Sequence, residues 1–355
     1  MAHYPLLFID KNRCKNNISR IVSKAEKNNL TFRPHFKTHQ SIEIGRWFRD
    51  LGVSGITVSS VEMANYFAQD DWDDITIAFP FYRGMIDGLK ELQNSVHLRL
   101  FLNHEEDISL LNSELNKNFK VYLEIDAGYG RSGISFTDKE KIESLIHTIN
   151  SGEHSDFHGF YIHDGGTYQS RNKSEIKERV SNSVSALREL KKIYPEAKTS
   201  LGDTPSATVL EDFNGIDEIT PGNLVFYDWM QVGIGSCEPN EIAVYVRVPV
   251  GQNISSGKAI VHGGAVHFSK DYVEQSGSKN YGQAFKMKNN EIVPLDGVML
   301  SALSQEHGTL SGFDPNIVDN DNCVSILPIH SCLTVNLFSC YHTTDGEIIK
   351  KRILS

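Results

Sequence analysis

RPHFKTHQ, residues 33–40, lies between the short β-friendly run LTF and the helix-like SIEIGRWFRDLG. One lysine, Lys37, stands there between two histidines, His35 and His39. Strand, polar loop, helix makes one βα unit, and the same order repeats outward along the chain. GITVSS precedes VEMANYFAQ, DITIAFPF precedes GMIDGLKELQN, and VHLRLFL precedes EEDISLLNSELNKN. FKVYLEIDA leads to TDKEKIESLIHTINS, FHGFYIHDG to SEIKERVSNSVSALRELKKIY, and AKTSLGD to TPSATVLEDF, with DEITPGNLVFYD closing the series. Short strands alternating with helical patterns predict parallel βαβ units. The eight units counted here predict a closed (β/α)8 barrel of the TIM type over residues 10–235, not an open sheet.

The rhythm changes near residue 236. EIAVYVRVPV, KAIVHGGAVHFS, YGQAFKMK, EIVPL, CVSILPIHSCLTVNLF and EIIKKRILS read as β-runs separated by Gly, Asn and Ser, with no amphipathic helix among them. Residues 236–355, joined by residues 1–9 through YPLLFI, are therefore expected to form a second, all-β domain.

Composition narrows the function. Of 355 residues, 39% are hydrophobic and 23% charged, as in an ordinary globular protein. A net charge of −10 argues against nucleic acid or an anionic membrane as partner. The opening MAHYPLLFIDKNRC lacks the basic and apolar regions of a signal peptide. No apolar run approaches the ~18 residues of a spanning helix. Five widely spaced cysteines without a Cys-x-x-Cys pair point to free thiols in a reducing compartment, the cytoplasm.

In such barrels the chemistry sits where the strands end. Lys37 with His35 follows the first strand, Asp126 and Arg131 the fifth, His163 and Tyr168 the sixth. Gly202, Asp203 and Thr204 follow the seventh, and Gly222 and Asn223 the eighth. Glycines and a threonine next to a helix start, after strands seven and eight, are where these barrels often bind phosphate. A lysine facing a phosphate site suggests a Schiff base with pyridoxal phosphate (PLP); the alternative is a solvated loop lysine. In the β-region, His330 and Cys332 stand two apart in PIHSCLTVNL, and on a strand they would share a face. An imidazole beside a thiolate suits Zn²⁺ with open coordination positions; the alternative is a core cysteine and a hydrogen-bonded histidine. Glu306 and His307 of SQEHG are either a carboxylate orienting that histidine or an ordinary loop. Trp47, Trp72 and Trp229 read as packing residues.

RPHFKTHQ resembles the R-P-H-x-K-T-H-K signature of the D-serine dehydratase and D-threonine aldolase family, PLP enzymes with an alanine-racemase-like barrel and a C-terminal β-domain. The likeness runs on through GITVSSVEMANYFA, EIDAGYGRSG, HDGGTY, TPGNLVFYDWMQ, SQEHG and PIHSCLTVNL. It implies that Lys37 carries PLP. It also implies that Gly202, Thr204, Gly222 and Asn223 lie near the phosphate, His163 and Arg131 near the ring, and that His330 and Cys332 hold the metal. Dehydrating members resemble this His-x-Cys form, whereas D-threonine aldolases resemble His-x-Asp. The reaction implied is loss of water from a D-3-hydroxy amino acid such as D-serine, with Lys37 as base at Cα and Tyr168 a candidate pocket hydrogen-bonder. Retro-aldol cleavage, racemisation and a non-catalytic PLP carrier are the alternatives. A homodimer is expected, the β-domain of one subunit covering the barrel mouth of the other. Gln40 departs from the family lysine, Thr220 stands where alanine racemases carry an arginine, and residues 262–282 follow no familiar pattern.

Overall fold

The computed structural model describes residues 5–255, 257–275 and 277–352. Residues 1–4 and 353–355, assigned above to the β-domain, lie outside the described residues. The chain forms two compact units, Ser19–Gly222 and the residues up to Ile18 together with those from Asn223 onward.

The first unit is the expected barrel. Its eight parallel strands are Thr31–Phe32, Ile56–Val58, Asp74–Pro80, His97–Phe101, Phe119–Asp126, Ser155–His163, Lys198–Gly202 and Glu218–Ile219. From the eighth strand back to the second, neighbours in sequence are neighbours in the sheet, and the first strand pairs with the eighth. The ring closes at RPHF: His35 bridges Thr57 in parallel, and Phe36 N–H donates to the Thr57 carbonyl at 2.8 Å. The first strand is only two residues long, and beyond it Arg33 and His35 N–H still donate to the Ile219 and Pro221 carbonyls at 3.0 and 3.2 Å. Runs such as Ile75–Ile77 and Val121–Ile125 are buried, as strands covered by helices require. The helix Lys173–Ile193 shows the complementary pattern. It buries Ile176, Val180, Val184, Leu187 and Leu190, a helical stripe, and is capped by Asn172 accepting from Glu175 N–H.

The barrel interior also holds charge. Arg33 donates to Glu218 and Asp74, each at 2.8 Å, and Arg99 donates to Asp74 at 2.8 Å. Tyr122 and Ser200 hydroxyls donate to the other Glu218 oxygen at 3.0 and 2.9 Å.

In the second unit six antiparallel strands close on themselves in the order Gly257–His262, His307–Phe313, Glu291–Leu303, Gly282–Lys288, Cys323–Pro328, Val244–Ser255 and back to the first. Leu6–Ile9 adds to Val244–Ser255, antiparallel, and to Cys340–Thr343, parallel. The expectation of an uninterrupted β-run at PIHSCLTVNL fails: the strand ends at Pro328 and a helix, Ser331–Asn336, begins. A second short helix, Ala265–Phe268, likewise interrupts the expected β-region. None of the five cysteines forms a disulfide. Among the described residues no helix is long and apolar enough to cross a membrane.

Candidate active site

The two histidines around Lys37 have different jobs. His39 is fully buried, its ring against Phe36, Phe48 and Phe67, and its Nδ1 accepts from Ser41 N–H at 3.1 Å. It packs. His35 lies under the lysine turn, and its Nδ1 accepts from Lys37 N–H at 3.4 Å. Burial drives the His35 pKa well below its ordinary value, with Lys37, His163, Arg131 and His39 adding to the effect. Lys37 itself is exposed, and Gln40 closes its turn by donating to the Lys37 carbonyl at 3.2 Å.

His163, at the end of the sixth strand, pairs in register with Gly202. Burial, then Arg131, then Lys37 hold its pKa down to about 3, so the imidazole is neutral. Lys37, His35, His163 and Arg131, drawn from three different strand ends, therefore share one electrostatic neighbourhood. Arg131 is half exposed, 3.7 Å from Glu124. Tyr168 reaches the seventh strand end, its hydroxyl accepting from Thr204 N–H at 3.3 Å.

That strand end is strained. Asp203 takes φ 146° and ψ 151°, a region essentially reserved for glycine, where strain marks functional sites. Burial pushes its carboxyl up to about 8, against the bonds from Ser206. Asp203 Oδ2, Thr204 Oγ1 and Ser206 Oγ are buried without hydrogen-bond partners. Such atoms cost about 1–3 kcal/mol each, so the rim retains polar groups that the fold does not satisfy. Gly202 lies against the Tyr161 hydroxyl and Thr220, and a Cβ on Gly222 would come within 2.6 Å of the His35 carbonyl. Neither position has space for a side chain. Thr220, the departure from the racemase arginine, donates to Tyr161 at 3.3 Å. A lysine beside a neutral histidine, with unsatisfied hydroxyls and glycines at the neighbouring strand ends, fits a phosphorylated aldehyde cofactor.

Asn223, expected at the phosphate, directs its side chain within the second unit. Its Nδ2 donates to Asp228 at 2.7 Å, to Ser331 Oγ at 2.9 Å and to Cys332 Sγ at 3.6 Å. Asp228 is almost fully buried and also accepts from Ser331 N–H at 2.9 Å, so it caps the Ser331–Asn336 helix. His330 is the residue before that helix, and Cys332 is in its first turn. The strand-alternation argument for the pair was thus incorrect, yet helix geometry still brings His330 and Cys332 together. The third member is Asp271, whose carboxylate lies 2.9 Å from His330 Nδ1. Burial disfavours a charged His330, but Asp271 and the Cys332 sulfur hold its pKa up to about 11. An imidazole beside a thiol suits a divalent cation, and a carboxylate on one ring nitrogen leaves the other to bind metal. Asp271 was not legible in the sequence: it lies in the 262–282 segment without family pattern. Glu306, the expected orienting carboxylate, turns instead to His262, 3.3 Å away.

The model of the alanine racemase N-terminal domain matches residues 9–229, and that of a serine dehydratase domain matches residues 243–344. Together with the barrel and its rim lysine, this defines the class as alanine-racemase-like. The chain belongs to the family of D-serine dehydratases, D-threo-3-hydroxyaspartate dehydratases and D-threonine aldolases. It is 28% identical to a D-serine dehydratase of Dictyostelium discoideum, over 97% of this chain and 94% of the relative. It is also 28% identical to a D-threo-3-hydroxyaspartate dehydratase of Delftia sp., over 97% and 95%. The solved structure of the enzyme from Delftia sp. HT23 superposes with a TM-score of 0.89, at 24% identity over 99% of this chain and 98% of that one. The family uses PLP and a divalent metal.

Proposed function

We propose that this chain is a PLP- and metal-dependent lyase that dehydrates a D-3-hydroxy amino acid, D-serine being the simplest, to a 2-oxo acid and ammonia. The observation that carries the reading is Cys332 beside His330, whose ring Asp271 holds through Nδ1, a thiol-containing pair of the dehydrating kind.

Lys37 would hold PLP, with Gly202, Thr204 and Gly222 toward its phosphate. PLP, when bound, supplies an electron sink for charge developing at Cα. Lys37 Nζ takes the Cα proton from the substrate, and neutral His163 with Arg131 keeps its electrostatic surroundings fixed during that transfer. Tyr168, tied to the Thr204 backbone, stiffens the phosphate end of the pocket. His330 and Cys332 would hold the metal, with Asp271 orienting the His330 ring. The metal, when bound, supplies a Lewis acid toward the departing hydroxide. The released enamine hydrolyses in water to the 2-oxo acid and ammonia; D-serine gives pyruvate. A homodimer acting on a small D-amino acid is part of the proposal.

The test assays D-serine, D-threonine and both D-3-hydroxyaspartates, scoring ammonia and 2-oxo acid against glycine and aldehyde, before and after chelation. Ammonia release that disappears on chelation and returns with Zn²⁺ supports the reading. Glycine and aldehyde without 2-oxo acid would assign the chain to aldol cleavage, and full ammonia release from metal-free protein would remove the metal's role.

A further inference from the structure

A second cluster of metal-binding side chains stands apart from His330 and Cys332. His262 ends the strand Gly257–His262 and pairs across the sheet with His307. His267 lies in the short helix Ala265–Phe268, and Glu306 in the turn before the strand His307–Phe313. Three backbone bonds fasten the loop to that turn: Gly263 N–H to Glu306 O at 3.0 Å, Ala265 N–H to Ser304 O at 2.8 Å, and Val266 N–H to Gln305 O at 3.2 Å. Glycine makes the approach possible. A Cβ on Gly264 would strike the Gln305 carbonyl, and one on Gly308 would come within 2.6 Å of the Gly263 carbonyl. The start of the 262–282 segment is therefore built tightly around one carboxylate.

The three donors converge, and only His262 is close enough to bond Glu306. His262 Nε2 and His267 Nε2 lie 3.3 and 3.9 Å from the same Glu306 oxygen. The second distance is too long for a hydrogen bond. The His267 side chain is only 15% exposed, so its imidazole is held in the cluster without gaining a bond from Glu306. One donor atom from each residue falls within 4.8 Å of the others. Bond lengths of about 2.1 Å put neighbouring ligands of a tetrahedral Zn²⁺ roughly 3.4 Å apart, so small side-chain rotations would close the set. His262 and Glu306 are each 49% exposed, which leaves the outer side open to water or a ligand.

We propose that His262, His267 and Glu306 form a second divalent-metal site, separate from the His330–Cys332–Asp271 group, which takes a first-row transition ion of the Zn²⁺ class. Two imidazoles and one carboxylate suit such ions rather than Ca²⁺ or Mg²⁺, which prefer oxygen-only shells. The ion would staple the 263–267 loop to the 304–306 turn. That loop rests on the helix bearing Cys332: Thr334 Oγ1 donates to the Phe268 carbonyl at 3.3 Å. The site does not depend on the lyase reading.

The experiment loads chelator-stripped holoprotein with Co²⁺ and reads the visible spectrum, with Zn²⁺ stoichiometry measured by elemental analysis. Three proteins are compared: the unaltered chain, His330→Ala/Cys332→Ala, and His262→Gln/Glu306→Gln. The last pair is half exposed, so the substitutions spare the core, and melting curves with chelator present check the fold. The proposal expects two equivalents in the unaltered chain and one in each variant. It also expects the His330→Ala/Cys332→Ala protein to keep a Co²⁺ ligand-field spectrum without sulfur-to-metal charge transfer. Zn²⁺ should raise the melting temperature of that variant. Loss of all metal from His330→Ala/Cys332→Ala, or an unchanged stoichiometry in His262→Gln/Glu306→Gln, would overturn it.

Discussion

Toward the amino-terminal end of the barrel, Arg33, Arg99, Asp74 and Glu218 share four charges over bonds of 2.8 Å, and Tyr122 and Ser200 satisfy the remaining Glu218 oxygen. At the carboxyl rim of the same barrel, burial first, with Lys37 and Arg131 adding to it, keeps protons off two histidines, and three oxygens of Asp203, Thr204 and Ser206 have no partner. Both regions are polar and largely buried, yet in the first every charge meets an opposite one, with Asp74 Oδ1 its one carboxylate oxygen left without a hydrogen bond. Burial weakens the Arg33 charge, but Glu218 and Asp74 more than restore it. A closed network stabilises the fold; an open one costs stability and is kept for what it binds. The contrast identifies the rim as the working end without reference to any relative.

The comparison can be broken most severely at Lys37. Lys37→Ala should lower ammonia release about 10²–10⁴-fold, the scale of a lost proton-transfer group, while the melting temperature of the PLP-free protein holds because the Lys37 side chain is exposed. A collapse of stability with Lys37→Ala would make the lysine a structural residue.

At the other end, Glu218→Ala should cost about 3–5 kcal/mol in urea unfolding, since it leaves Arg33 buried with a missing partner. Cofactor retention in the surviving folded protein should be unchanged. A loss below about 1 kcal/mol would mean that the network is no better than a surface ion pair.

A gentler probe is pH. The Asp203 carboxyl, pushed up to about 8, holds a proton in the folded protein that the unfolded chain releases near pH 4. The folded state then binds more protons between those values, so this contribution is full below pH 4 and is lost as pH rises toward 8. His163 has the opposite sign: its folded pKa is about 3, so its contribution is lost as pH falls below the ordinary 6.5. Between pH 6.5 and 8 only the Asp203 slope of the two remains. There, the stability of PLP-free protein relative to Asp203→Asn should fall by about 1.4 kcal/mol per pH unit. A flat difference curve would show Asp203 already ionised.

The smallest effect belongs to Thr204. Thr204→Ala removes a buried, unpartnered hydroxyl, so stability should stay within about 1 kcal/mol, while PLP affinity weakens by about 0.5–1.5 kcal/mol, the worth of one hydrogen bond. Equilibrium dialysis and melting curves separate the two. A large destabilisation with unaltered PLP binding would place Thr204 with the closed network.

The barrel was legible because its signals are local. Apolar strand runs, amphipathic stripes such as Ile176–Val180–Val184–Leu187 and caps such as Asn172 all lie within a few residues of what they specify. The rim residues were found because strand ends concentrate polar residues and glycine. What escaped depends on distant partners. The helix that begins at Ser331 has His330, not Ser, Thr, Asp or Asn, at its cap position, and the side chain that caps it is Asp228, 103 positions from Ser331. Asp271 meets His330 across 59 positions. Glu306 reads as a neighbour of the metal motif in sequence order, but sheet pairing of His262 with His307 takes it to another cluster. The charged barrel interior likewise joins residues 33, 74, 99 and 218, which no window spans.

The central claim, that the open rim exists to hold PLP on Lys37, is tested most directly by reducing the purified, PLP-loaded protein with borohydride and mapping the labelled peptide. The account predicts a single pyridoxyl group on the peptide containing RPHFKTHQ, at Lys37. A label on any other lysine, or none, would contradict it.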